Sequence, residues 1–582
     1  MADNRNMILA IVLSAAILFG YDFFFVERPL PSEQASGEVV NTPNDAAKAN
    51  LPTPPKAEIK SAPASIPGDI TAGMPREAAL SQSPRVQIQS AKLTGSLSLL
   101  GARIDDLTLT NYRETLEADS AAITVLNPKG SKGAYFAEFG WVKTQDGTIA
   151  LPGPDTLWKA DNKTLTPDRP VTLRWNNGAG FTFVRTITLD QDYLFTITDR
   201  VENATATGGD FYPYGLIARH ETPEVTGFYI LHEGLLGVFD ETLAEVDYDE
   251  LREQNRIEQS STGGWIGITD KYWLTALIPV QTDKINSRFV YQGVGGKDKY
   301  QTDFLGEKMT VAPRGSVEKT THFFAGAKEI TVIDTYEQSL GVKQFDLAID
   351  FGWFYFLTKP IFYVLIYLNT HIGNFGLAIL ALTILIKIVF FPLANKSYRA
   401  MSKMKKLQPE MKILKERFGD DKIRLNQETM ALYKKEKANP ASGCLPMLVQ
   451  IPVFFALYKV LFVTIEMRHA PFYGWISDLS AKDPTSLWNL FGLIPWEPAL
   501  YLPDAVNIGV WPLIMGISMF LQQKLNPQPA DPMQAKIFMF LPILFTFLLA
   551  PFPAGLVIYW AWNNTLSMGQ QWVIMRRMGV KV

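Results

Sequence analysis

A chain of 582 residues that is 47% hydrophobic and 12% aromatic is too apolar for an ordinary soluble domain, and with 19% charged residues it is too polar for a bare bundle of membrane helices. A mixed membrane protein is expected. The net charge of −3 says nothing about partners because the two signs are segregated along the chain, and the single cysteine, Cys444, excludes an intramolecular disulfide.

Met7 to Val26 is almost wholly apolar behind Arg5, but it ends Tyr-Asp-Phe-Phe-Phe-Val-Glu-Arg-Pro and not in the small residues of a cleavage site. Residues 1–28 therefore read as an uncleaved transmembrane anchor with its N-terminus in the cytoplasm. Residues 29–84, rich in Pro, Ala, Ser, Lys and Asn, cannot bury enough apolar surface to offset their ordering entropy, and read as a flexible extracytoplasmic linker. Over 85–340 the pattern changes to alternating runs such as Phe181-Thr-Phe-Val-Arg-Thr-Ile-Thr-Leu, separated by glycine turn signals, which predicts a large antiparallel β-sandwich. Its tryptophans, Trp141, Trp158, Trp175, Trp265 and Trp273, could stack on sugars or fill the core, and core packing is favoured. The adjacent acids Asp105-Asp106 and Asp240-Glu241 would point to opposite faces of a strand, which makes no catalytic dyad.

Residues 341–356 place Asp346 and Asp350 one helical turn apart in an aromatic stretch, and a helix lying in the membrane surface is predicted. A second span over 357–393 carries the cation Lys387 within its apolar run and opens without a break into a basic segment, 394–440. In that segment Met404, Leu407, Met411, Leu414 and Phe418 form a seam, Gly419-Asp420-Asp421 breaks it, and Ile423, Met430 and Tyr433 share one face of a second helix. A cytoplasmic helical hairpin follows from the excess of cations. Its basic face, with Lys403, Lys405, Lys406 and Lys412 and the turn acids Asp420 and Asp421, is either a solvated surface near anionic lipid or a docking site for a ribosome or targeting factor. The remaining segments read as a third span (441–466), an outer loop (467–506), a fourth span (507–525), an inner loop (526–535), a fifth span (536–551), a sixth span (552–575) and a short cytoplasmic tail (576–582).

A cation within a span costs about 2.5–3.5 kcal/mol on insertion scales, so Lys387 either reaches out to the headgroups or faces a water-filled cavity. Thr383, one turn back, favours the cavity. The last span is unusually polar, with Asn563, Asn564, Thr565, Ser567, Gln570 and Gln571, which serve either as glue between helices or as cavity lining. Together with Lys387, Thr383 and Gln450 they predict a shared wet groove. The five scattered histidines form no metal motif and no GxxxxGK[ST] phosphate loop is present, so no metal and no cofactor is expected.

Asn439-Pro440 with Gly443-Cys444-Leu445-Pro446, then Gln450, Pro452, Phe454 and Leu457-Tyr458, resembles the third-span signature of the YidC membrane-protein insertases, the Gram-negative type of the YidC/Oxa/Alb family. Trp475, Asp478-Leu479-Ser480 and Asp483-Pro484 resemble that family's outer loop. Asp531-Pro532-Met533-Gln534, Pro542, Pro553, Gly555-Leu556 and Tyr559 resemble its last two spans, and Gly263-Gly264-Trp265-Ile266-Gly267 and Asp270-Lys271-Tyr272-Trp273 its β domain. The resemblance implies a polytopic α-helical protein of the bacterial inner membrane with six spans, five of them a conserved core, a periplasmic β-supersandwich and a cytoplasmic hairpin. It also implies a groove, open to cytoplasm and lipid, in which the family's arginine is matched by Lys387. The charge is kept and the bidentate fork is lost. By the same resemblance Thr383, Tyr559 and Trp560 would face the client, with Trp560 replacing a common tyrosine. Implied partners are nascent membrane-protein clients, the Sec translocon and membrane lipids, with no sequence-specific nucleic-acid binding. Some relatives bind ribosomes through a long basic tail; this chain ends at Val582, and contact of that kind is not expected.

The expected function is thus an insertase and not an enzyme: water and Lys387 would lower the barrier for a client's polar tail while transfer of its apolar span drives the step. A membrane-anchored periplasmic protein acting on or binding glycan is the alternative. An ion-coupled transporter would need intramembrane acids and an inverted repeat, and neither is visible in the core spans.

Overall fold

The computed structural model describes residues 73–579, apart from positions 118, 146, 226–230, 420, 437–444, 497, 499–500, 504–505 and 527–531. The expected anchor (1–28), most of the linker (29–84), Asp420, and the Asn439-Pro440 and Gly443-Cys444 part of the third-span signature lie outside the described residues.

The alternating stretch folds as two stacked sheets. In hydrogen-bonding order the first runs Arg256–Thr262, Lys284–Val294, Lys297–Gly306, Gly209–His220, Tyr135–Lys143, Arg103–Arg113, Leu93–Ser98, Arg85–Gln89 and Thr164–Leu165, with Ala122–Leu126 and Met309–Val311 paired to its side. The second runs Thr242–Asp247, Gly234–Phe239, Trp265–Thr269, Trp273–Pro279, Ser316–Ala327, Leu194–Asn203, Phe181–Leu189, Val171–Asn176 and Lys159–Ala160. Period-two patterning places one face of each strand inward. Phe195 opposes Phe323 across one strand pair, and Phe139 of the other sheet meets Phe323 edge-on at 6.0 Å. Trp141, Trp158 and Trp265 are buried and Trp175 and Trp273 are half-buried against them, so these rings are core. Arg185 is fully buried: its guanidinium donates twice to Asp199, at 2.7 and 3.0 Å, and lies 5.5 and 5.4 Å from the Trp141 and Trp158 rings.

Two expectations about acids are corrected. A β-bulge at Ser96/Leu97 leaves Asp105 without a cross-strand partner and turns it to the same side as Asp106. Asp105 pairs with Arg85, Asp106 with Arg76 and, at 2.5 Å, with the Ser96 hydroxyl, so the two carboxylates converge but serve ion pairs. Asp240 and Glu241 lie in no strand. They form the two-residue turn between Gly234–Phe239 and Thr242–Asp247, with φ of 46° and 65°.

After the sandwich comes α1 (Ile330–Leu340), stopped by Gly341 in the left-handed region. The predicted surface helix over 341–356 is absent. Residues 345–348 form a 3-10 turn whose Phe345 and Asp346 are buried, because Phe345 packs edge-on against Trp265 at 5.4 Å and Phe324 at 5.7 Å. Asp346 takes the Lys359 ammonium at 2.5 Å, and Asp350 takes that of Lys459 at 2.6 Å. This segment is the joint between β domain and helices. Glu466 accepts from the Ile330 N–H (3.3 Å), the Arg468 guanidinium donates to the Glu114 carbonyl (3.2 Å), and the Lys271 ammonium sits 3.9 Å from the centre of the Phe462 ring. One continuous apolar cluster crosses the joint, from Val86 in the sandwich to Tyr559 in the last helix.

The segment read as one span over 357–393 is two helices, α2 (Tyr355–Ile372) and α3 (Phe375–Val389). Gly373, at φ 75°, ends the first, and the Asn374 side chain caps the second by accepting from the Leu377 N–H at 3.0 Å. Nor does α3 continue straight into the basic segment. Pro392, lacking an N–H, sits at the start of α4 (Phe391–Phe418), and α3 and α4 are bent by 70°. α5 (Lys422–Lys435) folds back on α4, with buried Leu407 and Tyr433 meeting beside Met404, Met411 and Leu432. The expected apolar face of α5 is only partly right, because Tyr433 packs inward while Ile423 and Met430 are exposed. α6 (Leu445–Val463), α7 (Val510–Leu525), α8 (Pro532–Leu548) and α9 (Ala554–Arg577) complete the chain. Among the described residues no single helix is long and apolar enough to cross a membrane, and the bent pair α3–α4 meets that test only when taken together.

Two outcomes follow for the β domain. Removing a buried charge partner strands the other, so Arg185→Ala is expected to cost about 3–5 kcal/mol, read by pulse proteolysis of the full chain in urea; a neutral outcome refutes the structural role given to Arg185. Burial, aided by Lys299, Lys129 and Lys297, pushes His220 down from 6.5 to about 4. The folded state then keeps the imidazole neutral where the unfolded state protonates, so stability is full above 6.5 and is lost as pH falls towards 4. His220→Gln should flatten that part of the stability curve, and an unchanged slope excludes His220 as its source.

Candidate functional site

Lys387 lies in the last turn of α3, and its ammonium, half-buried, donates to the Ser567 hydroxyl of α9 at 2.7 Å. Ser567 in turn donates to the Asn563 carbonyl one turn back, at 2.7 Å, and the Tyr398 hydroxyl of α4 reaches the same serine. Three helices thus meet on one hydroxyl. Among the described residues no carboxylate is paired with Lys387. A cation held by neutral oxygens alone keeps its charge available to whatever enters beside it.

One turn towards the start of α3, Thr383 is buried and its hydroxyl donates to the Ile379 carbonyl of its own helix at 2.7 Å. Gln450 of α6 donates to the Tyr559 hydroxyl at 3.3 Å, and Tyr559 is buried. Trp560 is half-buried, edge-on to Phe454 at 4.6 Å and tilted against Phe545 at 5.8 Å. Tyr559, Asn563 and Ser567 are spaced four apart, a stripe along one side of α9 that faces α6 at one end and α3 at the other. The remaining polar groups of α9 join helices instead: Asn564 donates to Ser518 of α7 (3.0 Å), Gln571 to Asn526 (3.1 Å), and the Trp562 indole to the Leu380 carbonyl of α3 (3.3 Å). On that side the polar last helix acts as glue between helices, one of the two purposes weighed for it. Gly516 of α7 is required by that packing, since a Cβ there would lie 2.0 Å from the Thr546 hydroxyl of α8.

The hairpin residues divide as well. Lys403 and Lys412 are exposed, Lys405 is half-buried, and Lys406 donates to the Met578 carbonyl beyond α9 at 2.7 Å. Asp421 is a helix cap, its carboxylate accepting from the Arg424 N–H at 3.0 Å. Asp420 lies outside the described residues. Sequence reasoning passed over Ser567 as the partner of Lys387 and Tyr398 as a second partner of that serine. The first was visible at four-residue spacing from Asn563; the second had no signal, because the bend at Pro392 alone brings it back.

A family profile described as the YidC periplasmic domain matches residues 85–364, and one described as 60Kd inner membrane protein matches residues 367–581. The chain is 50% identical over 596 residues to a membrane protein insertase YidC of Methylorubrum extorquens (strain PA1), covering 100% of this chain and 96% of that one. It is 49% identical over 594 residues to that of Beijerinckia indica subsp. indica, covering 100% and 97%. A crystal structure of an active YidC insertase with its first transmembrane domain resolved is 16% identical, covers 84% of this chain and 92% of that one, and aligns with a TM-score of 0.35.

The contact between α9 and α7 is open to direct measurement. Asn564→Leu should weaken it by about 1 kcal/mol, read as a lower midpoint for loss of helicity in mixed micelles, while Thr565→Leu, on the exposed side of α9, should not move that midpoint.

Proposed function

The chain belongs to the YidC family of membrane-protein insertases, and on that premise we propose that Lys387 and the polar stripe of α9 form the passage through which it moves client segments into the membrane. It is an inner-membrane insertase with a periplasmic β domain, and its clients are membrane proteins. The observation that carries the passage is the ammonium of Lys387, shared with the Ser567 hydroxyl and matched by no acid among the described residues.

In this reading residues 1–28 anchor the chain, α3, α6, α7, α8 and α9 span the bilayer, and α2 lies in its outer surface with its Phe356 and Tyr367, and Trp353 just before it, exposed towards lipid. Ile517, Ile543 and Leu548, exposed on α7 and α8, support lipid-facing sides for those helices. Helices of 15 to 19 residues reach only about 22–29 Å at 1.5 Å per residue, short of the about 30 Å of a typical hydrocarbon core. A bilayer fitted to them is thinned, which shortens the apolar distance that a client's polar tail must cross. The tail enters from the cytoplasm, exchanges water for Lys387, Ser567, Asn563 and Gln450, with Thr383, Tyr559 and Trp560 along its path, and is drawn on as its apolar span partitions into lipid. The hairpin α4–α5 is cytoplasmic, and exposed Lys403 and Lys412 with Ile423 and Met430 support a docking role towards a ribosome or targeting factor. The Sec translocon and anionic lipids are further partners in this scheme.

The test is reconstitution in liposomes with a single-span client. Lys387→Arg should insert as the parent does, and Lys387→Ala should be partly impaired. Lys387→Glu should fall about tenfold, equivalent to about 1.4 kcal/mol of barrier. Equal insertion by Lys387→Glu with several clients would show that the charge has no part in the step.

A further inference from the structure

The loop between α6 and α7 presents an apolar surface that neither the β domain nor the helices cover. Its root is firmly built. Asp483 accepts from the Trp475 indole (3.1 Å), the Thr485 N–H (3.0 Å) and the Trp511 N–H (2.8 Å), and the carbonyls of Leu479 and Ala481 accept from Gly555 and Ala554 at the start of α9 (3.0 and 2.7 Å). Through Arg468, which donates to the Glu114 carbonyl, the loop stands at the end of the helices that bears the β domain.

Past the root the chain turns at Leu487–Gly492, where Leu490 and Phe491 lie at φ of 50° and 59°, a region that residues with a side chain enter only at a cost. Local bonds hold the turn shut: Phe491 N–H to the Ser486 carbonyl (2.8 Å), Gly492 N–H to the Asn489 side chain (3.0 Å), Asn489 to the Trp496 carbonyl (3.1 Å), and the Trp488 indole to the Val506 carbonyl (2.6 Å). Their effect is to hold apolar side chains outward. Trp488, Leu490, Phe491, Ile494, Leu493 and Tyr501 are all exposed, the last two by 82% and 73%.

Charge and composition together name the cover. No lysine or arginine occurs between Lys482 and Lys524, so the surface has nothing to offer an acidic partner. Large aliphatic side chains flanked by tryptophan and tyrosine are the composition of a bilayer interface. α7, the helix that follows the loop, also leaves Ile514, Ile517 and Leu521 exposed, so loop and helix both present uncovered apolar side chains. We propose that residues 487–496, together with Tyr501, form a wedge inserted in the periplasmic leaflet of the inner membrane. Leu490, Phe491, Leu493 and Ile494 enter the acyl region, Trp488 and Tyr501 lie at headgroup level, and the wedge fixes the depth of α6 and α7. The wedge rests on the reading of those helices as spans.

The test uses the full chain with Cys444→Ser as background and an environment-sensitive fluorophore on Leu493→Cys. In phosphatidylcholine vesicles the label should emit at shorter wavelength than the same label on Asp168→Cys, an exposed β-domain position, and should be quenched several-fold more by nitroxide lipids. A nitroxide placed high on the acyl chain should act more strongly than one near its end. Leu490→Asn with Phe491→Asn, which tolerates the left-handed turn, should return both signals to the Asp168→Cys level. A label that stays water-exposed overturns the wedge, and so does one that is shielded without nitroxide quenching, which would mark a protein partner or a second copy on the loop. Ala481→Cys at the root separates the two kinds of failure. If an impermeant maleimide reaches it in spheroplasts only where Asp168→Cys is unreactive, the span topology itself fails; if both react from one side while Leu493→Cys is unquenched, only the wedge does.

Discussion

An ammonium with no carboxylate partner among the described residues is the constraint to which the helical half is fitted. A cation at mid-membrane costs about 2.5–3.5 kcal/mol on insertion scales, and a hydrogen bond from a charged group returns about 1.5–3 kcal/mol before its own desolvation is subtracted. On the reading of α3 as a span, the Ser567 hydroxyl does not suffice alone, and the part of Lys387 left open would have to draw on solvent. The position of the residue in the last turn of α3, the stripe Tyr559, Asn563 and Ser567 along α9, and the return of Tyr398 across the bend all put oxygen within reach of that end of the bundle.

The β domain is not a separate body on a string. Its C-terminal segment is buried around Phe345, and its two following acids each take a lysine from a different helix, Lys359 of α2 and Lys459 of α6. With Glu466 on Ile330 and Arg468 on Glu114, the attachment involves both the start and the end of the sandwich sequence. Rotation of one half against the other would break ion pairs and an apolar cluster together.

Much of this was legible in the residues. Two-residue alternation with glycine turns specified two sheets that are antiparallel except where Thr164–Leu165 pairs in parallel with Arg85–Gln89, and rings spaced along buried strands, such as Trp141 and Trp158, proved to be core. The seam Met404, Leu407 and Met411 meets Tyr433 as its spacing required. The errors have local causes. Gly373-Asn374 is a stop followed by a cap, a two-letter signal submerged in a long apolar run. Opposite faces for Asp105 and Asp106 assumed an unbroken strand, and a bulge is invisible to a period-two count. Residues 345–356 carry helical spacing, but burial of Phe345 against Trp265 outweighed local propensity. The partnership of Lys387 with Ser567 depends on how α3 and α9 pack, 180 positions apart, and one sequence does not encode that in any periodicity.

The 70° bend at Pro392 has a geometric corollary. If α3 stands near the bilayer normal, α4 departs only about 20° from the plane of the inner surface, by simple complement of the bend. The paired helices then lean over the membrane like an awning and do not stand off it like a mast. Whatever settles on their upper side is delivered to the doorstep of Lys387, with no further travel needed before a chain emerging from it meets the bundle.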